Sequence, residues 1–280
     1  MSRRGWIGFA APAAALFVAF WLLPMARLAL MGFDGRGGDG TTPASSAPSA
    51  YWIVLTHAQY WRSMLNTTLL SLAATLATLA MALPVGRFLA RHPRFFGRGL
   101  LVGLLMFPLA FPGVVVGFLV ILVAGRQGLL ASATRALTGS PLVFAYGMAG
   151  LFLGYLYFSL PRTIGMVTAA AQQLDQGLLE AARTLGASAT RRFIDVELPA
   201  LAPALMAAGA MCFATSMGAF GTVFTLGTQI DVLPTTIYNE FTNYANIPVA
   251  AALSVVLGLV TWVVLYAAHT LGGARAGAGA

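Results

Sequence analysis

Residues Glu180 to Pro199 read EAARTLGASATRRFIDVELP, a charge-dense stretch set between long apolar runs. It has the chemistry of a short helix, a turn and a second short helix. Asp175, just upstream, is placed to cap the first helix, because a carboxylate there accepts the orphan amide hydrogens of the opening turn. Glu180, Ala181 and Ala182 supply good helix formers and a small-residue face that a partner can approach closely. Gly186 stands where that helix should end, since glycine takes the left-handed conformation of a C-terminal cap without steric cost. Leu198 and Pro199 are expected to close the segment, proline stiffening the entry into the next apolar run.

The surroundings of this stretch are those of a membrane protein. Of 280 residues, 59% are hydrophobic and 9% charged, against about a quarter charged in an ordinary soluble domain. That composition excludes a soluble globular domain, whose single core could not hide so much apolar surface. The expected fold is all-α and polytopic, with about six spans, each needing about 20 apolar residues. Residues 1–31 hold the first span, read as retained because its apolar run is too long for a secretory signal. Residues 32–65 form a Gly, Ser and Pro-rich outer loop followed by an aromatic interfacial helix from Tyr51 to Leu65. A core domain, 66–271, carries spans near Asn66–Leu89, Leu100–Val123, Pro141–Leu160, Ala200–Phe224 and Ile247–Leu271, and 272–280 is a short tail. Pro108 and Pro112 should kink the third span, for a pathway or for packing alone. The fifth, rich in Ala, Gly and Ser, should be central, because small residues let backbones approach.

The formal charge of +8 comes entirely from arginine, and the arginines lie in short loops, which speaks for topology and not for nucleic acid. With the amino terminus inside, Arg3, Arg4, Arg87, Arg91, Arg94, Arg98, Arg162, Arg183, Arg191, Arg192 and Arg275 fall on the inner side. Arg36, Arg62, Arg126 and Arg135 fall outside, with Arg27 near that end of the first span. The Glu180–Pro199 loop and both termini are therefore expected in the cytoplasm. Cys212 is a lone cysteine within a span, so it makes no intrachain disulfide. The sequence holds no phosphate-cradling glycine loop, zinc-ligand spacing or nucleophile elbow. No catalytic, cofactor or metal residue is expected. No Asp or Glu falls within an expected span, so ion coupling has no obvious site.

The order Glu180, Ala181, Ala182, three residues, Gly186, nine residues, Val196, one residue, Leu198, Pro199 resembles the EAA loop of permease subunits of binding-protein-dependent ABC importers, with valine where the family usually has isoleucine. The opening at Asn66 and Thr67 and the run through Leu271 also resemble this family's core, of the type I importer fold. The resemblance implies that the loop is a pair of cytoplasmic coupling helices seated in a cleft of an ATPase. Glu180 would be the polar anchor, Ala181, Ala182 and Gly186 the helix and its turn, and Arg183, Arg191 and Arg192 nearby charges that serve equally as ordinary positive-inside residues. It implies a dimer of ATPase subunits that binds the ATP and Mg, a second permease subunit (a paralogue favoured over a second copy), a periplasmic solute-binding protein and membrane lipid.

The pattern looks closest to the branch handling polyamines, ferric iron, sulfate and phosphonates. Asp231 and Glu240, read as an outer loop, suit a cationic cargo such as a polyamine. A stand-alone secondary carrier is the competing class, and its polar lining would come from Asn66, Thr67, Ser159, Thr215, Ser216 and Thr222.

Overall fold

The computed structural model describes residues 11–34, 48–226 and 230–277. Arg3, Arg4 and Arg36, with most of the Gly, Ser and Pro-rich run, lie outside the described residues. Within them the chain is helical, without a strand. In order come α1 (Ala11–Met31), α2 (Ala50–Thr56), α3 (Ala58–Arg91), α4 (Arg98–Ala110), α5 (Gly113–Ala124) and α6 (Leu129–Thr138). There follow α7 (Met148–Gln172), α8 (Gln176–Thr184), α9 (Ala189–Met217), α10 (Phe220–Leu226), α11 (Leu233–Tyr238) and α12 (Ile247–Gly277).

Five helical stretches are long and apolar enough to cross a membrane: α1, α3, the α5–α6 run, α9 and α12. A sixth, α7, has the length but less hydropathy, because it carries Tyr155, Ser159, Arg162 and Thr163. It tolerates them by lying at the centre, packed on α3, α5 and α9 with only part of its surface outward. The fourth span is thus displaced from its expected place. It starts at Met148 and runs unbroken through Pro161 to Gln172, so the loop expected from Pro161 onward begins twelve residues later.

The other boundaries also have local causes. The second span opens at Ala58, ahead of the expected Asn66, so much of the aromatic stretch is transmembrane-helix stem, and only α2 is separate. Ser49 caps α2 by accepting from Trp52 N. Helix α3 ends at Arg91 because His92 precedes Pro93, and a residue before proline is pushed out of helical conformation. At Pro108 and Pro112 the expected kink is a full break: α4 tightens into a 3₁₀ turn at Phe107–Ala110, and α5 restarts after Pro112. The fifth span is also interrupted, at Gly218, between α9 and α10.

Close packing runs through small residues. A Cβ on Gly86 would stand 2.7 Å from Val167 Cγ1 and 3.1 Å from the Thr168 backbone nitrogen, so α3 and α7 touch there with no room to spare. A Cβ on Gly154 of α7 would meet Thr222 Cγ2 of α10 at 2.6 Å. Buried hydroxyls on these faces return their protons to the preceding turn: Thr67 donates to Ser63 O at 2.7 Å, and Thr75 to Ser71 O at 2.7 Å. At the opposite end of α3 from Arg91, Thr67 also accepts from Leu233 N at 2.7 Å, and Thr236 donates to Ser63 Oγ at 3.0 Å. The stretch around Leu233, read from sequence as a polar outer loop, is a buried helix sewn to α3.

Gly86→Ala should therefore destabilise by roughly 1–3 kcal/mol through overpacking, lowering the thermal midpoint of the detergent-solubilised chain. Gly103→Ala, where a Cβ meets nothing within 4 Å, should leave that midpoint unchanged or raise it slightly.

Candidate functional site

The Glu180–Pro199 stretch folds as its capping residues dictate. Asp175 accepts from Gly177 N at 2.8 Å and opens α8. The helix closes around Gly186, whose φ of +79° is left-handed. Gly186 N donates to Arg183 O and Ala187 N to Ala182 O, each at 3.0 Å, the paired bonds of a Schellman ending. Ser188 then accepts from Arg191 N at 3.3 Å and starts α9.

Leu198 and Pro199 do not close this segment. Helix α9 runs continuously from Ala189 to Met217 and carries the loop straight into the membrane. It does so through a π turn over Phe193–Glu197, where Leu198 N reaches back to Phe193 O. The register slips next to Pro199, which has no N–H to place, so the wider turn passes proline without a break.

The π turn also delivers Glu197, the acid missed by sequence reasoning. Its side chain is 5% exposed and is held by two guanidinium groups from the end of α3. Arg87 donates from Nε at 2.8 Å and approaches Oε2 through Nη2 at 2.6 Å. Arg91 pairs with the other oxygen, Oε1. The Arg87 guanidinium lies over the Phe193 ring at 3.9 Å, which couples the π turn of α9 to α3 a second time. Arg87 and Arg91, tallied as topology charges, are one helical turn apart, and that spacing is the signal that could have pointed to a single shared carboxylate.

Glu180, Ala181, Arg183, Gly186 and Arg191 are exposed, Ala182 and Leu198 are half-buried, and Pro199 is exposed. Among the described residues no ion pair involves Glu180, Arg183 or Arg191. Beside them stand apolar side chains that the loop does not bury: Leu178 is 58%, Leu185 88% and Ile194 52% exposed.

A second feature lies within the membrane, where the two interrupted spans meet α7. A cavity of about 480 Å³ opens between Gly113 of α5, Tyr155, Ser159 and Arg162 of α7, and residues 214–222 around the Gly218 break. Ser159, Thr215, Ser216 and Thr222, four of the six polar residues set aside for a pathway, line it, whereas Asn66 and Thr67 sit toward the end of α3 away from Arg91. Glu240 is buried and accepts from Tyr60 Oη at 2.9 Å, so only Asp231 of the presumed outer acidic pair is exposed. The expectation of spans without carboxylates is likewise corrected, since Glu197 belongs to the continuous α9 and is fully paired.

Removing one partner of a buried ion pair leaves uncompensated charge and costs on the order of 3 kcal/mol. Arg87 is 21% and Arg91 55% exposed, so solvent screens Arg91 more. Glu197→Gln should lower the thermal midpoint most, Arg87→Gln less and Arg91→Gln least. An Arg91→Gln loss equal to that of Glu197→Gln would refute the ranking.

Residues 82–271 match the family model described as the binding-protein-dependent transport system inner membrane component. The chain is 31% identical over 164 residues to the molybdenum transport system permease protein of Haemophilus influenzae, covering 58% of this chain and 71% of that one. It is 29% identical over 215 residues to the thiamine transport system permease protein of Brucella suis, covering 77% of this chain but 38% of the longer relative. Its fold resembles a chain in the crystal structure of a bacterial alginate ABC transporter with a pentasaccharide-bound periplasmic protein, at a TM-score of 0.75 and 18% identity over 95% of this chain and 93% of the other. The broken helical membrane domain and the sequence match over its length agree: the chain belongs to the family of inner-membrane permease components of binding-protein-dependent ABC importers.

Proposed function

We propose that this permease couples ATP-driven alternating access to its pathway through α8 and the start of α9. The observation that carries the reading is an apolar rim of exposed Leu178, Leu185 and Ile194 on the same loop as exposed Glu180, each of its helices opened by a side-chain cap. Apolar groups left bare among charges suit a cleft in a partner protein. That partner is an ABC ATPase dimer, which binds ATP and Mg, and this chain hydrolyses nothing itself. Closing of the ATPase dimer pushes on α8, and the unbroken α9 carries the displacement to the cavity at its far end.

One loop and one such cavity form half of a pathway, so a second permease subunit, by preference a paralogue, completes it, and a periplasmic binding protein delivers the cargo. The loop lies on the cytoplasmic side with both termini, in keeping with the arginine count. Arg183 and Arg191 lie beside Glu180 as contacts for acidic groups on the ATPase. Leu198 and Pro199 belong to the stem that transmits the movement.

The relatives' names carry molybdenum and thiamine, two unlike solutes, so resemblance does not select the cargo. The polyamine reading rested on Asp231 and Glu240. Both acids line one cavity of about 400 Å³ with Gln59 and Asn239, where Glu240 accepts from Tyr60 Oη, so a cationic cargo such as a polyamine keeps that support.

The test is co-purification of the detergent-solubilised chain with the ATPase encoded beside it. Glu180→Arg reverses the anchor charge, Leu185→Asp charges the rim, and Gly186→Pro cannot adopt a φ of +79°. Each should cut ATPase recovery by tenfold or more while the permease still elutes as folded protein. Full recovery with all three variants would refute the coupling assignment.

A further inference from the structure

The chain passes from α3 to α4 through RHPRFFGR, residues Arg91 to Arg98. Arg98 N donates to Phe95 O at 3.2 Å, and Gly97 has a φ of +80° and a ψ of +2°. These are the bond and the third-position angles of a type II turn, which puts Phe96 at the corner and requires glycine after it. The two phenylalanines part there. Phe95 is half-buried against Ala82, Leu89 and Ile164, which anchors the turn to α3 and α7, whereas Phe96 is wholly exposed.

The start of α4 fixes the level of this turn in the membrane. Leu100, Leu104 and Phe107 follow at intervals of four and three, so they share one face, and all three are exposed. Nothing between Arg98 and Met106 is buried. In a chain that spans a bilayer, such a bare apolar face meets hydrocarbon. The hydrocarbon boundary therefore falls within one helical turn of Arg98, and the Arg94 and Arg98 side chains stand at the headgroups with the Phe96 ring. The turn lies on the side of the Glu180–Pro199 loop, because it leaves the end of α3 from which Arg87 and Arg91 hold Glu197.

The charges of the turn are unanswered within the chain. Glu197 is already shared by Arg87 and Arg91, and among the described residues neither Arg94 nor Arg98 pairs with a carboxylate. The first turn of α4 holds no acid and has no side-chain cap. We infer that this turn binds the phosphate of an anionic phospholipid, with Arg94 and Arg98 on the headgroup and Phe96 among the upper acyl carbons. A guanidinium presents donors only, in a planar fork that suits phosphate oxygens. A zwitterionic headgroup brings its own cation, which two arginines without a carboxylate repel, so an anionic lipid is preferred. An acidic protein surface would answer the arginines but leave Phe96 and the face opening at Leu100 without an apolar neighbour; a lipid answers both. The inference goes beyond the transport reading and depends only on α3 and α4 lying in the bilayer.

The probe is phosphatidylglycerol, with phosphatidylcholine as the zwitterionic control and glycerol 3-phosphate as the headgroup without chains. Each is titrated onto the delipidated full-length chain in a neutral detergent and counted by native mass spectrometry. One phosphatidylglycerol should bind about tenfold or more tightly than either control. Arg94→Gln alone should cut its preference over phosphatidylcholine about threefold, and Arg94→Gln with Arg98→Gln should bring the two lipids within about twofold. Phe96→Ser should weaken both lipids about threefold to tenfold and leave the headgroup preference in place. Arg126→Gln with Arg135→Gln, on the opposite face by the arginine count, should change neither.

The idea is overturned if the wild type does not prefer phosphatidylglycerol, if the double arginine variant keeps that preference, or if glycerol 3-phosphate binds as tightly as the lipid. ATPase co-purification is scored on the same variants and should not change. Loss of the ATPase with lipid preference intact would assign the turn to an acidic protein surface and overturn the lipid site. Should the Arg98→Gln change not fold, Arg94→Gln and Phe96→Ser decide, because both side chains are exposed and their replacement disturbs no packing.

Discussion

The fold depends on one buried carboxylate. Glu197 ties the entry of α9 to the end of α3 through Arg87 and Arg91. This contact fixes the start of α9 to α3 at the π turn, beside the exposed loop. Both oxygens are engaged, which makes burial of the charge tolerable, because lone pairs left bare in a low-dielectric site are what make a buried ion expensive. The Phe193 ring beneath Arg87 shields that pair from water. Helix α3 is fixed at its other end as well, where Thr67 accepts from Leu233 N and Tyr60 donates to Glu240. Loop, α9, α3 and the outer helix α11 are thereby linked by specific polar bonds in an otherwise apolar molecule. Both buried acids, Glu197 and Glu240, stand in π turns, where the widened helix redirects a side chain toward a neighbouring helix.

The bilayer sets the second constraint. A helix can be interrupted at membrane depth only where its freed backbone groups find partners. Here α4 and α5 part at Pro112, and α9 and α10 part at Gly218, and the two breaks share a cavity. Glycine permits the contact: a Cβ on Gly113 would stand 3.1 Å from Thr222 Oγ1, whose hydroxyl instead donates to the Gly113 carbonyl. Short polar bonds thus replace the helical ladder at the interruption.

Much of this was legible in the sequence, and the unread part has a common cause. Asp175 and Gly186 act as their local chemistry requires, because capping involves residues within one turn of each other. The membrane class and helical architecture follow from composition. Long-range pairing left no local trace: nothing near Glu197 in the chain announces Arg87, one hundred and ten residues earlier. Pro199 misled because proline normally ends or starts a helix, and the π turn that absorbs it is a feature of backbone register. Helix α7 was shortened because Pro161 and Arg162 together look like the edge of a span. Both are accommodated because α7 is surrounded by other helices and not by lipid alone.

Two charges of the membrane domain now stand in contrast. Glu197, near the Glu180–Pro199 loop, has both oxygens engaged by guanidinium groups from the same chain. Arg162 lies over the Phe158 ring and lines the cavity, and it meets no carboxylate among the described residues. A chain that satisfies one ion so fully has the means to satisfy another. An acid one turn away on α7 or α9 would pair Arg162, just as Glu197 pairs Arg87. Leaving Arg162 unpaired keeps the cavity wall positive at the level where α9 breaks, and pairing Glu197 keeps the other end of α9 bound to its neighbour. The end of α9 beside the loop is closed by internal ion pairs, whereas at its other end the cavity wall holds Arg162 of α7, which no carboxylate among the described residues pairs.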